Sequence, residues 1–358
     1  MYNGRKKILF ICGSMNQTTQ MHQLARELPE YEHYYTPYYC DGLLERARKA
    51  NLLEPTILGN KMVNRCWSYL QANKLTVDYQ GLHNNYDLVL TCSDLVIPKN
   101  IRDKKVLLVQ EGMTDRETFV YYFVRKFKFL PLWLSSTAAT GLSDHYDLFC
   151  VASEGYRDLF IRKGARPEKI VVTGIPNFDN CKKYLINSFP HKNFVLVCTS
   201  DSRETFVYEN RKKFIQKAVE IARGRRLMFK LHPNENLERA TREINRYAPG
   251  ALVYPTGNTE EMIANCDVLI TRFSSTVYVG IALGKEAYSE FDLQELRRLA
   301  PIQNASAAKN IANVCRELLE GQKRRIIPPA KRRKRSLRWT RRTAYIQSVM
   351  NLGLNAFV

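Results

Sequence analysis

Short apolar runs, each ending in polar residues, recur along the whole of this chain. Lys7–Cys12, Asp87–Thr91, Val106–Gln110, Leu148–Ala152 and Ile170–Thr173 make a first set. Phe194–Thr199, Leu227–Leu231, Leu252–Tyr254 and Val268–Ile270 make a second. The runs are rich in Val, Ile and Leu without polar alternation, the pattern of strands buried on both faces. Segments of helical character separate them, the first from about Gln20 to Leu28 after a polar loop at Gly13–Thr19. Strand, polar loop and helix in repetition predicts an α/β protein built from doubly wound parallel sheets. The polar segment Asn177–Asn193 reads as a linker, so the expected division is 1–180, 181–322 and a C-terminal segment 323–358 set off by Pro328-Pro329.

Ligands of such sheets bind outside the carboxyl ends of the strands. The residues that follow the runs are therefore the candidates. Glu111 follows VLLVQ, with Gly112 freeing the backbone; it reads as a general base for an acceptor hydroxyl or as a turn or cap residue. His232 is held extended by Pro233 and reads as a phosphate donor or a loop histidine bonded to backbone. Ser274, Ser275 and Thr276 open a helix, where capping and phosphate binding are compatible. Arg203 and Arg272 are charge partners for a phosphate or members of surface ion pairs. Gly13, with His22 and Asp94 as neighbours, borders the acceptor side; the loop there lacks the G-x-x-x-x-G-K-[ST] and G-x-G-x-x-G spacings. No D-x-D occurs, so metal-bridged diphosphate binding is not expected, and no cofactor is implied.

Composition changes the picture in two places. Among the 358 residues, 45% are hydrophobic and the 20 Tyr and 16 Phe supply real cores, which excludes a disordered chain. Nine cysteines are scattered with no C-x-x-C pair, which predicts reduced thiols in a cytoplasmic protein and neither a disulfide framework nor a metal site. No run has transmembrane length, and the basic-then-apolar start reads as a first strand. The formal net charge is +20, and Lys323–Arg342 alone holds 11 Lys or Arg with no Asp or Glu. Such a block contacts polyanions or is a solvated tail. No helix-turn-helix, zinc or RNA-binding signature accompanies it, which argues against nucleic acid. Tyr121–Leu134 interleaves aromatics with Arg125, Lys126 and Lys128. It reads as a core helix with a snorkelling basic edge or as an element lying at a membrane surface. With Trp339 and the basic run, it predicts peripheral attachment to the inner face of the cytoplasmic membrane.

Three short motifs in order carry a family resemblance: Glu111-Gly112, His232-Pro233, and the Ser-Ser-Thr cluster inside Asp267–Tyr288, with Val171–Asn180 (VVTGIPNFDN) between the first and second. Over most of residues 7–319 the chain resembles the GT-B superfamily. The resemblance is to the branch holding UDP-N-acetylglucosamine 2-epimerase, the CDP-glycerol glycerophosphotransferases and bacterial sialyl- and Kdo-transferases. It implies two Rossmann-like domains facing a cleft. The first would hold a glycan or lipid-linked acceptor and the second a nucleotide sugar, with Glu111 as base and His232 and Ser274-Ser275 on the donor phosphate. It adds Lys230 and Pro233 to the donor set and Glu260 to the ribose. Asp201-Ser202-Arg203-Glu204 stands where the epimerases have His-Arg-Arg-Glu, and their Pro-Glu-Glu element has no counterpart, which puts an epimerase behind a transferase. The implied activity is inverting, metal-independent glycosyl transfer, from a CMP-linked acidic sugar ahead of a UDP- or GDP-linked one. Transfer of a polyol phosphate from a CDP donor is the alternative, and a polyanion-binding protein without catalysis is the non-enzyme alternative.

Overall fold

The computed structural model describes residues 4–54, 58–127, 129–204 and 208–321. The basic run Lys323–Arg342, Trp339, the rest of the C-terminal segment and Lys128 lie outside the described residues. The strands are β1 Lys7–Ile11, β2 Glu32–Thr36, β3 Leu88–Thr91, β4 Val106–Val109, β5 Leu148–Val151, β6 Ile170–Val172, β7 Val195–Cys198, β8 Leu227–Lys230, β9 Leu252–Tyr254, β10 Val268–Thr271 and β11 Glu286–Tyr288. The helices are α1 Met15–Arg26, α2 Gly42–Lys49, α3 Asn60–Ala72, α4 Phe119–Lys126, α5 Glu154–Lys163, α6 Arg211–Ala222, α7 Leu237–Tyr247, α8 Thr259–Asn265, α9 Thr276–Ala282, α10 Leu293–Leu299 and α11 Ala307–Glu320.

Two compact units result. The first sheet runs β2-β1-β3-β4-β5-β6, and the second β11-β10-β7-β8-β9. Every pairing is parallel. Strand order reverses between β1 and β3 in one unit and between β7 and β10 in the other, where such sheets open a crevice for ligands. Each predicted strand forms, within a residue or so of its expected ends. β2 and β11, reading EHYYT and EAY, were not expected from the apolar pattern. As edge strands they need only part of their surface covered; Tyr35 of β2 is buried and stacks on Phe10 at 5.1 Å.

The first core joins Ile8, Phe10, Leu88, Leu90, Leu107 and Val109 to Met21 and Leu24 of α1 and to Ile311, Val314, Cys315 and Leu319 of α11. The sequence division placed α11 with the second domain, but its apolar face packs in the first. The second core joins Val195, Val197, Phe229, Val268 and Ile270 to Ile215 of α6 and Ile244 of α7. All nine cysteines are free and buried. Among the described residues no helix is long and apolar enough to cross a membrane, and no cluster of His, Cys, Asp and Glu has a metal-binding arrangement.

Asp179, buried, ties the end of the first run of chain to the start of α11. Its Oδ1 accepts from the N–H of Asn304 (3.0 Å) and Ala305 (2.6 Å), and its Oδ2 from that of Ala307 (2.7 Å). Ser306 makes no side-chain cap bond, so Asp179 supplies the capping carboxylate from a distant point in sequence. Asp179→Ala leaves three N–H groups without their acceptor. It is expected to destabilise the first unit by about 1–3 kcal/mol, read by urea unfolding followed through the fluorescence of Trp67 and Trp133.

Candidate functional site

In the first unit the chemistry gathers where β1 and β4 end. Ser14 is the N-cap of α1, its Oγ accepting from the Gln17 N–H at 3.2 Å. The same hydroxyl donates to Glu111 Oε1 at 3.0 Å, and Gln17 Nε2 donates to Glu111 Oε2 at 2.7 Å. Gln17 Oε1 in turn accepts from the Gly13 N–H at 3.1 Å. A Cβ at Gly13 would stand 2.8 Å from both Gln17 Oε1 and a Tyr39 ring carbon, so only glycine lets the strand end pass this close. Burial pushes the Glu111 carboxyl above its ordinary range, opposed by the bonds from Gln17 and Ser14. Gln110, buried, clamps the loop from below: its Oε1 accepts from the Ala152 N–H (2.9 Å) and its Nε2 donates to the Gly112 carbonyl (2.7 Å).

Ser14 and Gln17 were not among the predicted site residues. Read as S-x-x-Q they form a capping signature that starts the helix five residues earlier than expected and aims both side chains at Glu111. His22 and Asp94 are engaged elsewhere. His22 Nδ1 meets Tyr69 Oη at 3.0 Å on α3, and burial pushes its pKa down. Asp94 accepts from the N–H of Gly141 (2.9 Å) and Ser143 (3.0 Å), a loop-pinning role, with burial pushing its pKa up.

In the second unit the register aligns Thr271, Cys198, Lys230 and Tyr254 across β10, β7, β8 and β9, so the four strands end level. His232 stands just past β8. Its backbone N–H donates to Thr199 Oγ1 at 3.1 Å, and Pro233 follows it into the turn that leads to α7. The Asn234 N–H donates to His232 Nδ1 at 3.3 Å, and Asp201 Oδ2 lies 3.5 Å from the same nitrogen. The ring's Nε2 has no partner among the described residues. Ser274 Oγ pairs with Thr276 Oγ1 at 2.9 Å, whereas Ser275 makes no side-chain cap bond and its hydroxyl has no hydrogen-bond partner among the described residues. Glu260 opens α8 with its backbone capped by Asn258 and its carboxylate unbonded among the described residues.

The predicted cations are committed to protein partners. Arg203 makes a two-pronged bond to Glu243, both arms 2.8 Å. Lys230, buried, donates to the carbonyls of Leu231 (2.8 Å) and Pro255 (3.3 Å), and burial pushes its pKa down. Arg272 pairs with Glu290 and, at 2.9 Å, with Glu209. From there a chain of ions continues: Glu209 pairs with Arg211, and Arg211 with Glu235 at 2.5 Å. Glu209, Arg211 and Glu235 have side-chain exposures of 1%, 3% and 0%, so their charges are met by one another, by Arg272, and by hydrogen bonds with Ser200, Thr199 and the His232 N–H. Nothing in the local sequence spacing signals this chain, because its members come from four separate segments. Arg211→Met would strand Glu235 and leave Glu209 with Arg272 alone. A loss of about 3–5 kcal/mol is expected in denaturant titrations of the second unit followed by circular dichroism, with part recovered when both glutamates are also made Gln.

No protein-family model matches the sequence. No curated protein matches it. Among solved structures, S. aureus MnaA with UDP superposes with a TM-score of 0.55 at 14% identity, covering 88% of this chain and 97% of that one. The wall teichoic acid polymerase TagF, an H444N variant soaked with CDPG, gives 0.51 at 10% identity, over 88% and 89%. A Listeria monocytogenes protein assigned as a UDP-N-acetylglucosamine 2-epimerase gives 0.51 at 14%, over 88% of each chain. At these identities the likeness establishes the fold: two Rossmann-like α/β units of the GT-B type.

Proposed function

We propose that this chain is an inverting glycosyltransferase that moves a sugar from a nucleotide-sugar donor to a cell-envelope or capsule glycan. The observation that carries the reading is Glu111, a half-buried carboxylate at a strand's carboxyl end, held by Ser14 and Gln17 and made more basic by burial. A carboxylate so tuned is suited to take the proton of an acceptor hydroxyl while that oxygen attacks the anomeric carbon. The bond from the anomeric carbon to the phosphate oxygen breaks in the same displacement. Its electron pair leaves on the phosphate, and the configuration inverts.

The second unit supplies the donor side. Ser275 Oγ and His232 Nε2, unpartnered among the described residues, serve the departing phosphate, and the Glu260 carboxylate is free for ribose hydroxyls. Arg272 and Arg203 contribute no free charge. With every member ionised, the chain Glu235–Arg211–Glu209–Arg272–Glu290 carries three negative and two positive charges. The order of the Glu111-Gly112, His232-Pro233 and Ser274-Ser275 motifs supports a CMP-linked acidic sugar as the donor. The fold's occurrence with UDP in MnaA and with CDPG in TagF supports a nucleotide-linked donor in general. The TagF likeness also favours, as a second reading, transfer of a polyol phosphate. Phosphorus analysis of the product separates the two, since only the second leaves phosphate in it.

Three outcomes test the reading. Glu111→Gln should abolish transfer and leave nucleotide binding intact, whereas Ser275→Ala should weaken nucleotide binding; turnover unchanged in Glu111→Gln would overturn the base assignment. Because the base acts deprotonated and its pKa is raised, the rate should climb with pH through a limb above the ordinary carboxylate range. Gln17→Ala, which removes a bond that favours the charged form, should move that limb to higher pH. The exposed aromatics Phe119 (81%) and Phe129 (82%), near Arg125 and Lys126, fit contact with an anionic membrane surface. Phe119→Ser with Phe129→Ser should reduce co-sedimentation with anionic vesicles at moderate salt.

A further inference from the structure

The first unit contains a cavity of about 660 Å³ that none of the transfer chemistry uses. It lies behind α4 and the turn-rich segment Leu132–Ala139, beside a small satellite core of Tyr121, Ala138 and Ala139. Its volume falls in the range of ligand pockets, several hundred to about 1,000 Å³. Leu95, Tyr121, Val124, Leu130, Leu132 and Leu142 give it an apolar wall.

Two polar groups in that wall lack the partners that burial demands. Lys163, the last residue of α5, is 3% exposed. Its ammonium has three donors, and among the described residues it makes one hydrogen bond, to the Ala138 carbonyl at 2.8 Å, with the Tyr121 ring face 5.6 Å away. Burial pushes this lysine down to about 8, against the opposing pull of Glu117 and Asp115, neither of which is in ion-pair contact with it. Ser135, 6% exposed, has a hydroxyl with no hydrogen-bond partner among the described residues. A structural lysine capping one carbonyl needs no cavity, and an apolar void needs neither group. The lining also holds Arg102, Arg125 and His145, and its one carboxylate, Asp94, is taken up by the N–H groups of Gly141 and Ser143. The polar part of the wall is therefore cationic and the rest apolar, which suits an anion attached to a hydrocarbon.

We propose that this cavity binds an anionic amphiphile, its phosphate or carboxylate on Lys163 and Ser135 and its hydrocarbon chain along the wall formed by Val124, Leu130 and Leu132. The outward faces of the same segments carry Phe123 (45% exposed), Phe129 (82%) and Trp133 (44%). They set an apolar surface beside the pocket. The inference rests on no step of the transfer reaction.

The test is isothermal titration of the full-length chain, with each amphiphile kept below its micelle concentration. Oleoyl lysophosphatidate and oleate are the anionic probes, monooleoylglycerol the neutral one, and inorganic phosphate the bare headgroup. One-to-one binding of an anionic probe is expected, weakened about ten- to hundredfold for monooleoylglycerol and in Lys163→Met, with no heat from inorganic phosphate alone. Which anionic probe binds tighter distinguishes a phosphate-headed lipid from a free fatty acid. Val124→Trp, which fills the cavity and keeps the lysine, should abolish binding while nucleotide binding persists. It tests the site even if Lys163→Met does not fold. Equal affinity for neutral and anionic amphiphiles, unchanged affinity in both variants, or binding of inorganic phosphate as tight as that of the amphiphiles would overturn the proposal.

Discussion

A parallel sheet covered on both faces leaves a polar side chain nowhere to go except the strand ends, and both units are organised by that exclusion. β1, β3, β4, β7, β8 and β10 are buried almost throughout their lengths. Hydrogen-bonding capacity is therefore concentrated where the strands stop, and groups packed that closely must satisfy one another. The two units meet this demand differently. The first surrounds a single carboxylate with neutral donors: a hydroxyl from Ser14 and an amide from Gln17. The second strings charges of alternating sign from Glu235 to Glu290, so that each buried ion is met by its neighbour.

The contrast has chemical consequences. Neutral donors hold a carboxylate in place without lowering its basicity as far as a cation would. Glu111 therefore stays above the ordinary range despite two hydrogen bonds. A guanidinium in Gln17's place would have made it a better anion and a poorer base. In the second unit the opposite economy holds, because two arginines that face carboxylates cannot also neutralise a phosphate. What they provide is rigidity. Ser200 is bonded from both sides, by Glu209 and by Arg211, and the Thr199–Glu235 pair fixes the backbone N–H of His232. On the proposed reading, donor recognition is left to groups with little charge, the His232 imidazole and the Ser275 hydroxyl, whose value depends on being held still.

How much of this was legible in the sequence follows from the range of the interactions concerned. Buried strands announce themselves locally, and their apolar runs predicted both parallel sheets. Edge strands do not: β2 is covered on part of its surface only, and its Glu, His and Tyr residues suppress the signal. Glu111 was visible because a carboxylate after an apolar run is a local anomaly. Its partners Ser14 and Gln17 lie about a hundred residues away and are ordinary helix-start residues when read alone. Arg203, Arg272 and Lys230 illustrate the converse. A cation at a strand end looks available until its distant carboxylate or carbonyl is known, and Glu243, Glu209 and Pro255 are all long-range partners.

Helix α11 follows the same logic at the scale of the chain. Its apolar stripe matches either core, so the pattern alone cannot choose between them. Polar ties to the first unit accompany the packing: Asp179 accepts from three backbone N–H groups at the helix start, Asn310 donates to the Thr173 carbonyl, and Arg316 pairs with Glu30 near the helix end. A carboxylate at that position competes well against water only because the N–H groups converge on it and the helix dipole adds to their field. Once it is in place, Ile311, Val314, Cys315 and Leu319 are delivered to the first core, which would otherwise expose the faces of Ile8, Leu88 and Leu107 they cover. Directional bonds that no local pattern shows thus accompany the apolar contacts by which the last described helix completes the first unit.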